Sequence, residues 1–122
     1  MVSAVTRLPR RAWLLLATVP VARPARAHAI LVQSDPAHAG RLAAGDRVLV
    51  LRFNSRLDPV RSRLTLTRPD RSQAALTLLP GPDNQLSAAV VLSPGAHSLR
   101  WQVLAIDGHI TRGDLPFSVA AP

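Results

Sequence analysis

The chain has 122 residues, enough for one domain and little more. It has no cysteine, which excludes disulfides, thiolate zinc sites, iron–sulfur clusters and copper centres with a Cys ligand. All 15 basic residues are Arg and all 7 acidic ones Asp, giving a formal charge of +8, and with no Tyr, two Phe and two Trp there are few rings on which bases or sugars could stack.

Much of that charge lies at the start. Arg7, Arg10 and Arg11 precede the apolar run from Ala12 to Ala22. Such a run is well short of the roughly 20 residues that a helix needs to span hydrocarbon. With Ala25-Arg26-Ala27 behind it, the pattern is that of a secretory signal peptide, residues 1–27, cleaved after Ala27. The adjacent Arg10 and Arg11 leave both the general and the twin-arginine export routes open. Cleavage leaves a domain of residues 28–122 with a charge of +3, and a periplasmic or exported location is expected. Its 10 Arg are scattered singly among apolar and Asp residues. A nucleic-acid footprint needs a clustered basic stripe, so none is expected.

From Leu31 on, period-two alternation dominates, as in half-buried strands. Arg47-Val48-Leu49-Val50-Leu51-Arg52-Phe53 is a more continuous apolar run, which predicts a strand covered on both faces. Leu64 and Leu66 alternate with polar neighbours, and so do Leu99, Trp101 and Val103, with Trp101 as a core anchor. Leu115, Phe117 and Val119 follow suit; Pro116 among them predicts an edge strand. Turn signals fall between these runs, at Asp35-Pro36, Gly45-Asp46, Asp58-Pro59, Arg68-Pro69-Asp70, Pro80 to Asn84 and Ser93-Pro94-Gly95. Arg41 to Ala44 could form one helical turn at most. The pattern predicts an all-β Greek-key sandwich or barrel, immunoglobulin-like in architecture.

Four histidines carry what metal chemistry there is. His38 lies in a loop and His97 just after a turn, and both are expected on the solvated surface. His28 becomes the first residue after cleavage. Its α-amine and ring Nδ1 can close a chelate ring on one ion, a two-nitrogen bite that favours tetragonal Cu(II). Asp107-Gly108-His109 follows the strongest strand and offers a carboxylate and an imidazole at i and i+2, on one side of extended backbone. Gly108 allows a tight turn between them. If the two segments meet, three nitrogens and one oxygen are available to one ion. If they do not, Asp107 caps a turn, His109 bonds to it, and the chain is a metal-free immunoglobulin-like module.

The mature chain resembles the CopC family of periplasmic copper-resistance proteins along nearly its whole length. The matching stretches are His28-Ala29, Ser34-Asp35-Pro36-Ala37, Leu51-Arg52-Phe53-Asn54-Ser55-Arg56, Pro94-Gly95 with Leu99-Arg100-Trp101, and Asp107-Gly108-His109 with Gly113 and Phe117. The resemblance implies a seven-stranded Greek-key, cupredoxin-like barrel. It also implies one Cu(II) per chain in a histidine brace of His28, Asp107 and His109, with a membrane transporter of the CopD type as partner. A monomeric carrier is expected, not an enzyme. Similar braces in polysaccharide monooxygenases keep an oxidative enzyme as the alternative. The sole methionine, Met1, leaves with the leader, so the thioether Cu(I) site of some family members is absent by composition.

Overall fold

The computed structural model describes residues 29–122, all β-strand, turn and loop. Eight strands run in chain order: β1 (Leu31–Asp35), β2 (Gly40–Ala43), β3 (Gly45–Phe53), β4 (Arg63–Thr67), β5 (Gln73–Ala75), β6 (Gln85–Leu92), β7 (Gly95–Leu104) and β8 (Ile110–Ala120). They form two sheets, one ordered β1-β3-β6 and the other β2-β8-β7-β4-β5. All pairings are antiparallel except β2 with β8. The result is the expected sandwich, with one strand more than the resemblance implied and without closure into a barrel.

Alternation places the core. Leu49, Leu51 and Phe53 of β3 meet Leu86, Ala88 and Leu92 of β6 on the inner face of the smaller sheet. Against them pack Leu64 and Leu66 of β4, Leu99, Trp101 and Val103 of β7, and Leu115, Phe117 and Val119 of β8. Each fully buried Leu or Phe contributes about 1.5–3 kcal/mol, and no covalent link assists. Trp101 is the anchor its alternation predicted: its ring meets Phe53 edge to face at a centroid distance of 5.2 Å. The ring lies so close over Gly113 that a Cβ there would sit 2.4 Å from Trp101 Cζ2.

Four expectations need correction. The apolar run of β3 is buried on one face only, because among the described residues no layer covers the outer side of the small sheet, and Val48 is exposed. Residues 40–43 form β2 rather than a helical turn, extended by parallel pairing with the end of β8. Strand β8 is not an edge, since β2 lies on its far side. Pro116 nevertheless escapes the ladder: its carbonyl accepts from Ala39 N–H at 2.7 Å on the β2 side, so its ring nitrogen faces that side too, one residue before β2 pairing begins. Finally, His97 is buried, stacked on Phe117 with ring centroids 5.3 Å apart and Nδ1 3.2 Å from the Gly95 carbonyl. Extending the Leu99-Trp101-Val103 alternation back by two residues would have put it there.

Candidate metal centre

Asp107 and His109 sit in the hairpin between β7 and β8. Gly108 N–H donates to the Ala105 carbonyl at 2.8 Å and Ala105 N–H to the His109 carbonyl at 2.9 Å. That is a three-residue hairpin loop, Ile106-Asp107-Gly108, closed by a left-handed residue; Gly108 at φ +95° fills the position without strain. The expected tight turn is present. Asp107 Oδ1 accepts from His109 N–H at 3.2 Å and lies 3.4 Å from His109 Nδ1. Both side chains are substantially exposed and meet across the turn at Gly108, not along the extended backbone that the i, i+2 reading assumed.

The same device occurs between β4 and β5. Arg71 N–H donates to the Arg68 carbonyl at 2.8 Å and Arg68 N–H to the Ser72 carbonyl at 2.9 Å. Arg71 at φ 72° is the left-handed residue, and Asp70 Oδ1 accepts from Ser72 N–H at 2.9 Å and from its hydroxyl at 2.6 Å. The Ser72 hydroxyl, the Ser72 N–H and more weakly the Arg68 charge hold the Asp70 carboxyl below the ordinary aspartate range. Asp107 and His109 thus stand where hairpin chemistry alone places an Asp and the residue two on. The pairing is a local property of the loop. Whether it is also a metal site depends on what else reaches it.

Next to the loop, at the start of β8, the first described residues are tied down. Thr111 Oγ1–H, on β8 two residues past His109, donates to the Ala29 carbonyl at 3.0 Å. Asn54, just after β3, holds the next residue twice: Ile30 N–H donates to Asn54 Oδ1 at 2.8 Å, and Asn54 N–H donates to the Ile30 carbonyl at 3.0 Å. Ala29 is buried beneath this strap. His28 itself lies outside the described residues, as does the predicted leader. Among the described residues no three His, Cys, Asp or Glu side chains come together, so Asp107 and His109 do not make a complete donor set by themselves.

Exposed apolar residues stand next to the strap and the loop along the chain. The chain contains three isoleucines, Ile30, Ile106 and Ile110. All three are about half exposed or more (49%, 63% and 52%), next to the strap or flanking the Asp107–His109 loop. The loop is buttressed by residues 54–58, through Ile106 N–H to the Arg56 carbonyl at 3.0 Å and a bridge between Leu57 and Ala105. His38 is exposed in its loop, as expected, and His97 is in the core, so neither joins the site. The strap residues Asn54 and Thr111 are what sequence reasoning missed. Asn54 stood only within a matching stretch, and nothing in the sequence singles out Thr111.

The described residues thus form a two-sheet β-sandwich whose first residues are strapped to the start of β8, beside the Asp107–His109 hairpin. The family model of the CopC domain matches residues 31–120, and the chain belongs to that family. Protein YobA of Escherichia coli strain K12 is 28% identical over 124 residues, covering 96% of this chain and 98% of YobA. The crystal structure of CopC from Methylosinus trichosporium OB3b superposes with a TM-score of 0.69 at 25% identity, over 77% of this chain and 95% of that one. PcoC, a methionine-rich copper resistance protein from Escherichia coli, shares the fold, with a TM-score of 0.60 at 23% identity over 76% and 99% of the two chains.

Proposed function

We propose that this protein is an exported, periplasmic Cu(II) carrier acting in copper resistance, and that copper is its cargo. His28, as the first residue of the mature chain, would supply its amine and a ring nitrogen, His109 an imidazole and Asp107 a carboxylate oxygen. One observation carries the reading: the strap from Thr111 to Ala29 holds the residue after His28 against the strand that begins just past His109. The donor chemistry agrees. With no cysteine and Met1 the sole methionine, only nitrogen and oxygen donors are at hand, a set that suits Cu(II) and offers Cu(I) nothing soft. Membership of the CopC family and the fold shared with a copper resistance protein support the same assignment. A carrier fits better than an oxidative enzyme, because four donors leave an ion little open coordination, and the chain has no Tyr to build a sugar-binding face. Delivery to a membrane transporter of the CopD type completes the proposal.

The test is a Cu(II) titration, followed by electron paramagnetic resonance, of two chains: one beginning at His28 and one with a single extra residue before it. Tight one-to-one binding by the first and much weaker binding by the second are expected. Equal affinity for the two chains rules out the amine ligand, and no binding by either rules out the carrier.

A further inference from the structure

The sandwich has four sheet edges, and three of them are blunted. β1 carries a register shift between Leu31 and Gln33, and it ends in Asp35. β2 has four residues, one of them Arg41, and β5 has three. Bulges, charges and short length are the usual means of keeping an open edge from pairing with another chain. β6 has none of them. Its eight residues, Gln-Leu-Ser-Ala-Ala-Val-Val-Leu, contain no charge and no proline, and they pair with β3 in unbroken register from Gln85 to Leu92.

The hydrogen-bonding parity of this edge can be read directly. The Ser87 carbonyl accepts from Leu79 N–H at 2.8 Å, outside the sheet, so Ser87 directs its backbone groups away from β3. Alternation then turns Ala89 and Val91 outward as well. Among the described residues nothing pairs with these two, and the segment through Leu79 covers the edge only as far as Ser87. The open window is therefore Ala88 to Leu92. Val91 within it is 75% exposed, and Val48, opposite Ala89 on the outer face, is 51% exposed.

The geometry points to a second copy of this chain as the occupant: an antiparallel β6–β6 pairing about a two-fold axis at Val90. This departs from the monomer expected from the sequence. The window is self-complementary about that residue. Ala89 of one copy falls opposite Val91 of the other, and each such pair exchanges both of its backbone hydrogen bonds. On the outer face this sets Val48, Ala89 and the second copy's Val91 in one apolar row. The charges allow it, because each Asp46 lies at the far end of its row beside its own Val91, and the two Asp46 carboxylates stay more than a Debye length of about 8 Å apart. A window of five residues buries less than the about 1,000 Å² of a stable complex, so the dimer is weak and reversible. The antiparallel arrangement sends the two Asp107–His109 loops to opposite ends, leaving both open.

Sedimentation velocity from micromolar to millimolar protein, with a chelator present to exclude metal bridging, tests this. The dimer fraction should rise with concentration, and amide exchange at Ala89 and Val91 should slow in step. Val91→Lys, on the outer face, and Ala89→Pro, which removes only an outward N–H, should each weaken association at least tenfold with unchanged circular dichroism. Val32→Lys, at a position 56% exposed on the bulged β1 edge, should leave it unchanged. A chain that stays monomeric at millimolar concentration, with fast exchange at both amides, overturns the proposal and leaves this edge to a strand of another protein. Equal loss from Val32→Lys also overturns it, by showing association through apolar surface at large.

Discussion

Replacing Thr111 by Val keeps the β-branched shape and removes one hydroxyl, the donor that holds the Ala29 carbonyl at 3.0 Å. A net hydrogen bond is worth about 1 kcal/mol, and leaving a buried carbonyl without a partner costs about 1–3 kcal/mol. Ala29 is buried, so a loss of about 1–2 kcal/mol is expected, moderated if water reaches the carbonyl. Two consequences follow from where the loss falls. Thermal stability should drop by several degrees, at about 4–8 °C per kcal/mol for a domain of this size. Cu(II) binding, if it needs the strap closed to present His28, should weaken about 5- to 30-fold, since 1.4 kcal/mol is a factor of ten. The Asn54 bonds to Ile30 remain, so the strap should loosen rather than detach. Competition titration against a Cu(II) chelator measures the affinity and differential scanning calorimetry the stability. In the chain with one extra residue before His28, the substitution should leave the weakened affinity unchanged, because the amine is already lost. A Thr111→Val protein that melts earlier yet binds Cu(II) within about twofold of the parent refutes the reasoning, because the strap would then serve the fold alone.

Three further outcomes are expected. His97→Ala removes a ring stacked on Phe117 in the core, so it should cost about 2–4 kcal/mol in chemical denaturation while leaving Cu(II) affinity unchanged, whereas His109→Ala should do the reverse. Gly113→Ala drives a methyl into the Trp101 indole and should destabilise by about 1–3 kcal/mol with a shift in Trp fluorescence, given that Trp101 is the one Trp of residues 28–122. Because Asp70 has a depressed carboxyl pKa in the fold, its contribution to the β4–β5 turn is present above the unfolded value and is lost as pH falls through the folded one. Asp70→Asn should therefore flatten the acid limb of that hairpin's amide-exchange profile, and an unchanged limb would show that Ser72 is held by other means.

Much of the fold was legible because burial in a sandwich repeats every second residue. Leu64, Leu66, Leu99, Trp101, Val103, Leu115, Phe117 and Val119 all lie on the core face their alternation gave them, and the Asp107–His109 turn was local enough to be read from three residues. Where one segment's environment depended on another, the sequence was silent or misleading. A run as apolar as Val48 to Leu51 does not say whether a second layer covers it. Pro116 in β8 does not say that β2 arrives one residue later. His97 was misjudged by its nearness to a turn, although its parity with Leu99 held the answer. The strap lies furthest from reach: Thr111 and Ala29 are joined across more than eighty positions by one hydroxyl. Periodicity and turn chemistry are written along the chain and act over a few residues. Which edges stay open, and which strand Ala29 is tied to, follow from how two sheets stack, and no short stretch of sequence contains that.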